Sequence, residues 1–543
     1  MELLCIERKK MKNKNAIILA AGKSNRFAPF TYEKPKGLFI VKGEVLIERQ
    51  IKQLIEAGIK EIIVVIGYMK EKFFYLEQKY PEVKLIVNNT FGKYGNIYSI
   101  YVARNYLKNT YICCADHYFV NNPFLDNNIS NISYRAGTYY SRKFREFSID
   151  YTDANVISGC YIGGSDKMAM VGHAYFNERF SNKFVELMED EINNFGIANM
   201  FWEEFYQRHI KDLTLYVKEF APNEVLEFDD IDELRKFDSD FLLNVDSEIV
   251  DNICSKLNCH PNEITNISVI QAGLTNVSFK FTVNRIEYVY RHPGGTAGNL
   301  IDRRTEITAQ MAAKSIDIDK SVIYMDPTGW KLSYYVQDIV KCDFLNNKEQ
   351  LEKGMDYLRK IHSLNIDGYA KEFDDVEEGK KLMLIASSTK GNLCTEFKNI
   401  VNKINKLKRY VDEESEKYNI QKVLCHNDVY EPNYIATANG DMYLIDWEYA
   451  GLNDPANDIA CIICRYDYSF EQGEYLLKSY YGRDLTELEH RHCIAYIALC
   501  SFYWFCWGLY KGSVGDDDGF FFLPAYRNLI KYIDIAIKNY EEM

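Results

Sequence analysis

Two rhythms of apolar residues divide the chain. In the first 235 residues, short runs at 15–22 (NAIILAAG), 61–67 (EIIVVIG) and 111–115 (YICCA) are apolar on both alternating faces, as strands buried in a parallel sheet must be. Between the first two, residues 47–57 carry apolar positions at helical spacing. Strand, helix, strand in this order predicts an α/β Rossmann-like mixed sheet with ligands at the carboxyl ends of its strands. From 267 the rhythm changes. Two β-rich runs span 267–291 around a turn at Gly273, followed by helical patterns at 303–314 and 347–418. That order predicts an α+β unit with a small β-rich lobe and a larger helical one. The expected boundaries are a polar leader at 1–15 (with Met11 as a second possible start), a first domain at 16–235, a linker at 236–247 and a second domain at 248–543, its lobes meeting at 338/339.

Composition narrows the class. At 543 residues, two or three domains are expected. The 78 acidic against 65 basic residues argue against a general nucleic-acid binder. The 14 scattered cysteines fit a reducing, cytoplasmic setting. Cys461 and Cys464 lie one helical turn apart and read as packed core thiols. Residues 493–510 are uncharged, but their Trp and Tyr fill the second half rather than the ends. A buried helix is therefore expected, with no stable membrane insertion.

The densest chemistry lies at 423–460. A His-x-Asp-x₄-Asn loop precedes an apolar strand ending in Asp446. Phosphoryl transfer needs a carboxylate beside the acceptor hydroxyl and oxygen ligands for Mg²⁺; Asp428 can be the first, and Asn433 with Asp446 the second. His426 reads as a hydrogen-bonder that sets the loop. Upstream, Gly273, Thr275 and Asn276 (AGLTN) would cover the ATP phosphates. Arg291, at the end of YVYR, would pair with phosphate, and Glu306 would orient it. In the first domain, Leu19, Ala20, Ala21, Gly22 and Lys23 make a glycine turn after a strand, where backbone N–H groups can approach a phosphate. Arg26 and Lys36 would add charge for a triphosphate. No G-x-G-x-x-G is present, which excludes a dinucleotide fingerprint.

LAAGKSNRF with KPKGL resembles the signature of nucleotidyltransferases that activate sugar phosphates and phosphocholine, although members more often carry Gly at Ser24. The resemblance implies catalytic roles for Arg26 and Lys36, and Mg²⁺ held by Asp116 and Asp229 with Glu227 helping. A strand-end cap and a helix N-cap are the plainer readings of the two aspartates. Residues 96–101, 144–147 and 201–202 are similar to stretches of the phosphocholine cytidylyltransferases, which implies a phosphocholine site at Asn96, Tyr101, Phe147, Phe201 and Trp202. Members typically have Trp at Phe147, and any single aromatic is more often core. HNDVYEPNYI with LIDWEYAGLNDPANDIA resembles the choline and ethanolamine kinases of the protein-kinase-like (aminoglycoside phosphotransferase) group. It implies Asp428 as base, supporting roles for Glu448 and Asp458, and a choline pocket walled by Tyr449, Trp504 and Trp507.

Together the halves resemble the bacterial fused phosphocholine cytidylyltransferase/choline kinases. The expected activity is phosphorylation of choline by ATP, then transfer of CMP from CTP to phosphocholine, with Mg²⁺ at both sites. Ethanolamine and phosphoethanolamine, or a sugar 1-phosphate for the first half, remain the alternatives, and the oligomeric state is open.

Overall fold

The computed structural model describes residues 14–125, 132–193, 195–270, 276–293, 301–366, 368–390, 396–514 and 519–542. The chain divides into two compact units, Met1–Val269 with Thr282–Asn284, and Ile270–Phe281 with Arg285–Met543.

In the first unit, β1 (Lys14–Ala20) lies in a parallel set with β2 (Ile62–Ile66), β3 (Val83–Val87) and β4 (Asn109–Cys114), in the order β4-β1-β2-β3. β5 (Tyr134–Tyr140), β6 (Phe144–Tyr151), β7 (Ile157–Gly164), β8 (Lys167–Phe176) and β9 (Tyr216–Glu219) complete a mixed nine-stranded sheet. β8 runs antiparallel to β4, and β9 parallel to β5. Both faces of β1 are covered, which explains its unbroken apolar run. Ala16 and Ile18 join a core with Ile47, Ile51 and Leu54 of α1 (Leu46–Glu56). Ile17, on the other face, joins one with Ile97 and Ile100 of α2 (Asn96–Val102) and Phe205 of α3 (Trp202–Arg208).

Two expectations change here. Residues 236–247, expected as a linker, are packed onto the first unit. Phe241 packs edge-on against Phe30 at 5.5 Å, and Leu242 and Val245 are buried. Ser247 caps α4 (Glu248–Leu257) and donates to Glu33, so this stretch and α4 belong to the first unit. Trp202 is only 3% exposed and packs edge-on against Phe176 in the core. Its indole supports the sheet and does not wall a pocket.

In the second unit, β10 (Asn276–Val283), β11 (Ile286–Pro293), β12 (Val322–Met325) and β13 (Lys331–Tyr334) lie in the order β10-β11-β13-β12, beside α5 (Arg303–Ser315). The helical lobe contains α6 (Lys348–His362), α7 (Phe397–Tyr418), two antiparallel strand pairs and the C-terminal helices. β14 (Val423–Cys425) pairs with β17 (Gly451–Asn453), and β15 (Tyr434–Thr437) with β16 (Met442–Leu444). α8 (Pro455–Cys464), α9 (Glu487–Val514) and α10 (Gly519–Glu541) follow. α9 is long and apolar enough to cross a membrane, yet the most apolar window is 89% buried within the protein. α8, α10 and the helix Asp375–Lys390 pack around it. Cys461 and Cys464 both meet Cys500, with sulfurs 3.3 and 3.6 Å apart, as free core thiols.

Candidate active sites

At the carboxyl end of β1 a cleft of about 410 Å³ opens, lined by Leu19, Ala20, Ala21, Gly22, Lys36 and Asp116 among others. Ser24 stands on its rim with φ +49°, a left-handed backbone that glycine adopts more cheaply. Lys23 is exposed beside Gly92. Lys36, buried, bridges two segments. Its Nζ donates to Asp116 Oδ2 at 2.9 Å and to the Phe228 carbonyl at 2.7 Å, which brings residues 227–229 beside the end of β4. Desolvation raises the Asp116 pKa, but Lys36 and His117 reverse that and hold it at about 2. Asp229 pairs with Arg26 at 2.5 Å. The N-cap of the helix Ile231–Phe237 is the neighbouring Asp230, so the Asp229 carboxylate faces a cation instead of a helix end. Glu227 lies 3.3 Å from His117.

The expected aromatic walls separate. Phe201 is half exposed and lines the cleft, with Phe147 edge-on at 6.0 Å. Asn96 lines the cleft and accepts from the Trp202 backbone N–H at 2.8 Å. Tyr101 lies outside the cleft lining, under the Arg104 guanidinium. Sequence reasoning missed Asn88, Phe91 and Gly95, which also line it. A Cβ at Gly95 would fall 2.1 Å from the Met200 carbonyl oxygen; a glycine after Lys93-Tyr94 was the available signal.

In the second unit a cleft of about 460 Å³ is lined by Val289, Arg291, Lys331, Ile435, Ile445 and Asp446, and by Tyr334–Val336 just before the expected lobe boundary at 338/339. Arg291, buried, donates to Glu306 at 2.5 Å and lies 3.4 Å from Asp446. Arg303 holds the other Glu306 oxygen at 2.5 Å. Lys331 was not foreseen; its Nζ donates to Gln310 at 3.1 Å. Gly273 and Thr275 lie outside the described residues, and Asn276 begins β10.

The catalytic-type loop is fixed from beneath. Asp458, fully buried on α8, accepts the backbone N–H groups of His426 at 2.9 Å and Asn427 at 2.7 Å, and the His362 ring at 2.9 Å. His426 donates from Nε2 to Ile445 O at 2.9 Å and accepts at Nδ1 from Asp428 N at 3.3 Å. That pattern is a neutral ring, and burial pushes its pKa down. Asn433 Nδ2 donates to Asp428 O at 2.8 Å and Oδ2 at 3.1 Å, leaving its carbonyl oxygen for a cation. Asp446 has φ +67°, strain of the kind concentrated at functional sites. Burial pushes Asp428 up to about 7 against the opposing pull of Arg465.

Tyr449, Trp504 and Trp507 do meet, with centroids 5.5 and 5.4 Å apart and Trp507 Nε1 donating to Tyr449 Oη at 3.0 Å. All three are buried, and the Arg465 guanidinium covers Trp504 at 3.3 Å from its centroid. The cavity that Tyr449 lines there, with Tyr503 and Glu378, is only about 30 Å³. Glu448 and Lys371 line it as well.

Both metal positions suit Mg²⁺ by donor type, since carboxylate and amide oxygens are its ligands. Asp116 and Asp229 are each already paired with a cationic side chain, so both places accept positive charge.

Residues 16–147 match the MobA-like NTP transferase domain, and 267–499 the choline/ethanolamine kinase family. The 2-aminoethylphosphonate cytidylyltransferase of Lancefieldella rimae is 35% identical over 246 residues, 44% of this chain and 98% of that protein. The choline-phosphate cytidylyltransferase of Streptococcus pneumoniae is 32% identical over 223 residues, 41% of this chain and 96% of that protein. Protein LicA of Haemophilus influenzae is 25% identical over 290 residues, 50% of this chain and 100% of that protein.

Proposed function

Because the chain belongs to the cytidylyltransferase family through its N-terminal half and carries a choline/ethanolamine kinase domain in its C-terminal half, we propose that it runs two successive transfers. The kinase half phosphorylates a small head-group alcohol with ATP, and the N-terminal half transfers CMP from CTP to the resulting phosphomonoester. The relatives favour choline and phosphocholine as this pair. The observation that carries the reading is the presence in one chain of both constellations, Lys36 with Asp116, and Asp428 with Asn433.

In the first step the acceptor oxygen bonds to the γ-phosphorus as the bond to the bridging oxygen breaks. ADP leaves, and the hydroxyl proton passes to Asp428. Arg291, oriented by Glu306, neutralises phosphate charge. Asn433 and Asp446 would hold Mg²⁺, which screens the nucleotide phosphates when bound. In the second step a phosphomonoester oxygen bonds to the α-phosphorus of CTP as the α–β bridge breaks, releasing pyrophosphate. Lys36 and Arg26 offset the charge gathered there, and Asp116 with Asp229 would hold Mg²⁺ between the reacting phosphates.

The order makes chemical sense of the fusion, since the product of one half is the substrate class of the other. A cytoplasmic setting, which supplies ATP and CTP, fits both transfers. The similarity to a 2-aminoethylphosphonate enzyme favours a second reading, in which the N-terminal site takes a phosphonate oxygen as nucleophile in place of that of phosphocholine. Formation of CDP-choline from supplied phosphocholine and CTP, without ATP, tests the N-terminal assignment. Its absence alongside turnover of 2-aminoethylphosphonate selects the second reading.

A further inference from the structure

A quaternary ammonium is recognised by open aromatic faces backed by carboxylate. At the place where Tyr449, Trp504 and Trp507 gather, the structure holds a protein cation instead. Arg465, the residue after α8, is 3% exposed. Its Nη2 donates to Asp428 Oδ1, its guanidinium lies 3.3 Å from the Trp504 centroid, and Tyr430 covers it at 4.7 Å. Lys511, equally buried, stands 5.6 Å from the Trp507 centroid. Each tryptophan face is thus served by a fixed basic group. The carboxylates near this cluster are Asp428, which is engaged by Arg465, Asp446 and Asp458, and Glu448 and Glu378, which line a cavity of only about 30 Å³ with Tyr449 and Tyr503. Asp458 is spent on the loop backbone and His362, and Asp446 lines the nucleotide cleft.

We infer that Arg465 is a specificity-determining residue that selects an acceptor alcohol carrying an anionic group, and that it disfavours choline at the kinase step. A guanidinium has five N–H donors in a flat fork, so it can serve Asp428 and a carboxylate or phosphonate together. A trimethylammonium placed beside the same base meets like charge in a dry site. The inference rests on the kinase reading above and leaves the order of the two transfers unchanged. The transfer is the one already balanced: alcohol oxygen to γ-phosphorus, proton to Asp428, ADP released.

The test uses the full-length protein with Mg²⁺ and ATP. ADP release is measured separately with choline, ethanolamine, glycerate and 2-hydroxyethylphosphonate. The expected result is a kcat/KM for one of the anionic alcohols about 100-fold above that for choline, with Arg465→Glu shifting the preference toward choline. The comparison in the unmodified protein stands without that variant, should a second carboxylate beside Asp428 prevent folding. Arg465→Gln, whose amide has the lesser electrostatic cost, should lose the anionic alcohol selectively. Equal or better use of choline or ethanolamine by the unmodified protein overturns the inference and leaves the kinase reading intact. Phosphorylation of none of the four overturns the kinase reading and the inference with it.

Discussion

Lys36 Nζ lies between Asp116 Oδ2 and the Phe228 carbonyl, so one buried ammonium ties the end of β4 to the segment carrying Asp229. This lysine both orders the N-terminal site and supplies charge to it. Lys36→Ala should lower cytidylyl transfer at least about 100-fold. Kinase turnover measured on the same preparation should stay within about twofold of the parent, as expected for independent sites. Loss of both activities in a folded variant would contradict separate sites.

Asp428 is the proposed base, with its carboxyl pushed up to about 7 by burial. A base works deprotonated, so kcat/KM of the kinase step should fall about tenfold per pH unit below 7 and level off above it. Asp428→Asn should cost about 100- to 10,000-fold and leave cytidylyl transfer to a supplied phosphomonoester intact. A flat pH profile from 5.5 to 7 would remove Asp428 from that role.

Phe201 and Trp202 are neighbours with opposite fates, one half exposed on the cleft and the other 3% exposed in the core. Trp202→Ala should destabilise the first unit by about 3–5 kcal/mol, read by urea denaturation. Phe201→Ala should change stability by less than about 1 kcal/mol while raising KM for the phosphomonoester.

His492 links α9 to α8 and α7, with Asp454 at 2.8 Å and Glu414 at 3.0 Å. Burial opposes its charge, but the two carboxylates outweigh that and raise it to about 9. Since the folded pKa lies above the unfolded one, this stabilisation is fully present below about pH 6.5 and is lost as pH rises through 9. Its size is roughly 3 kcal/mol. Unfolding free energy measured from pH 6 to 10 should show that loss in the parent, and His492→Gln should flatten it.

Local spacing made part of this legible. Asp428 and Asn433 are five residues apart on one loop, and Arg291 and Glu306 join the end of a strand to the helix after it, so their meeting follows from short-range geometry. The alternate faces of 15–22 likewise announced a sheet covered on both sides. Arg465 carried no local mark, because its partners Asp428 and Trp504 come from a distant loop and helix. Nor could spacing decide whether Trp202, Trp504 and Trp507 face solvent or core, since both uses follow the same periodicity. The isolated apolars Phe241, Leu242 and Val245 were the signal that 236–247 packs, and the polar residues between them obscured it.

The central claim is that one chain performs both transfers in sequence. Its most direct test is ³¹P NMR of the purified protein with Mg²⁺, ATP and CTP, run in parallel with choline and with each anionic alcohol. The account predicts a phosphomonoester resonance that rises first and is then converted to the paired diphosphate resonances of a CDP-alcohol, with pyrophosphate. A phosphomonoester that accumulates without any CDP-alcohol, or no phosphomonoester from any alcohol, would contradict it.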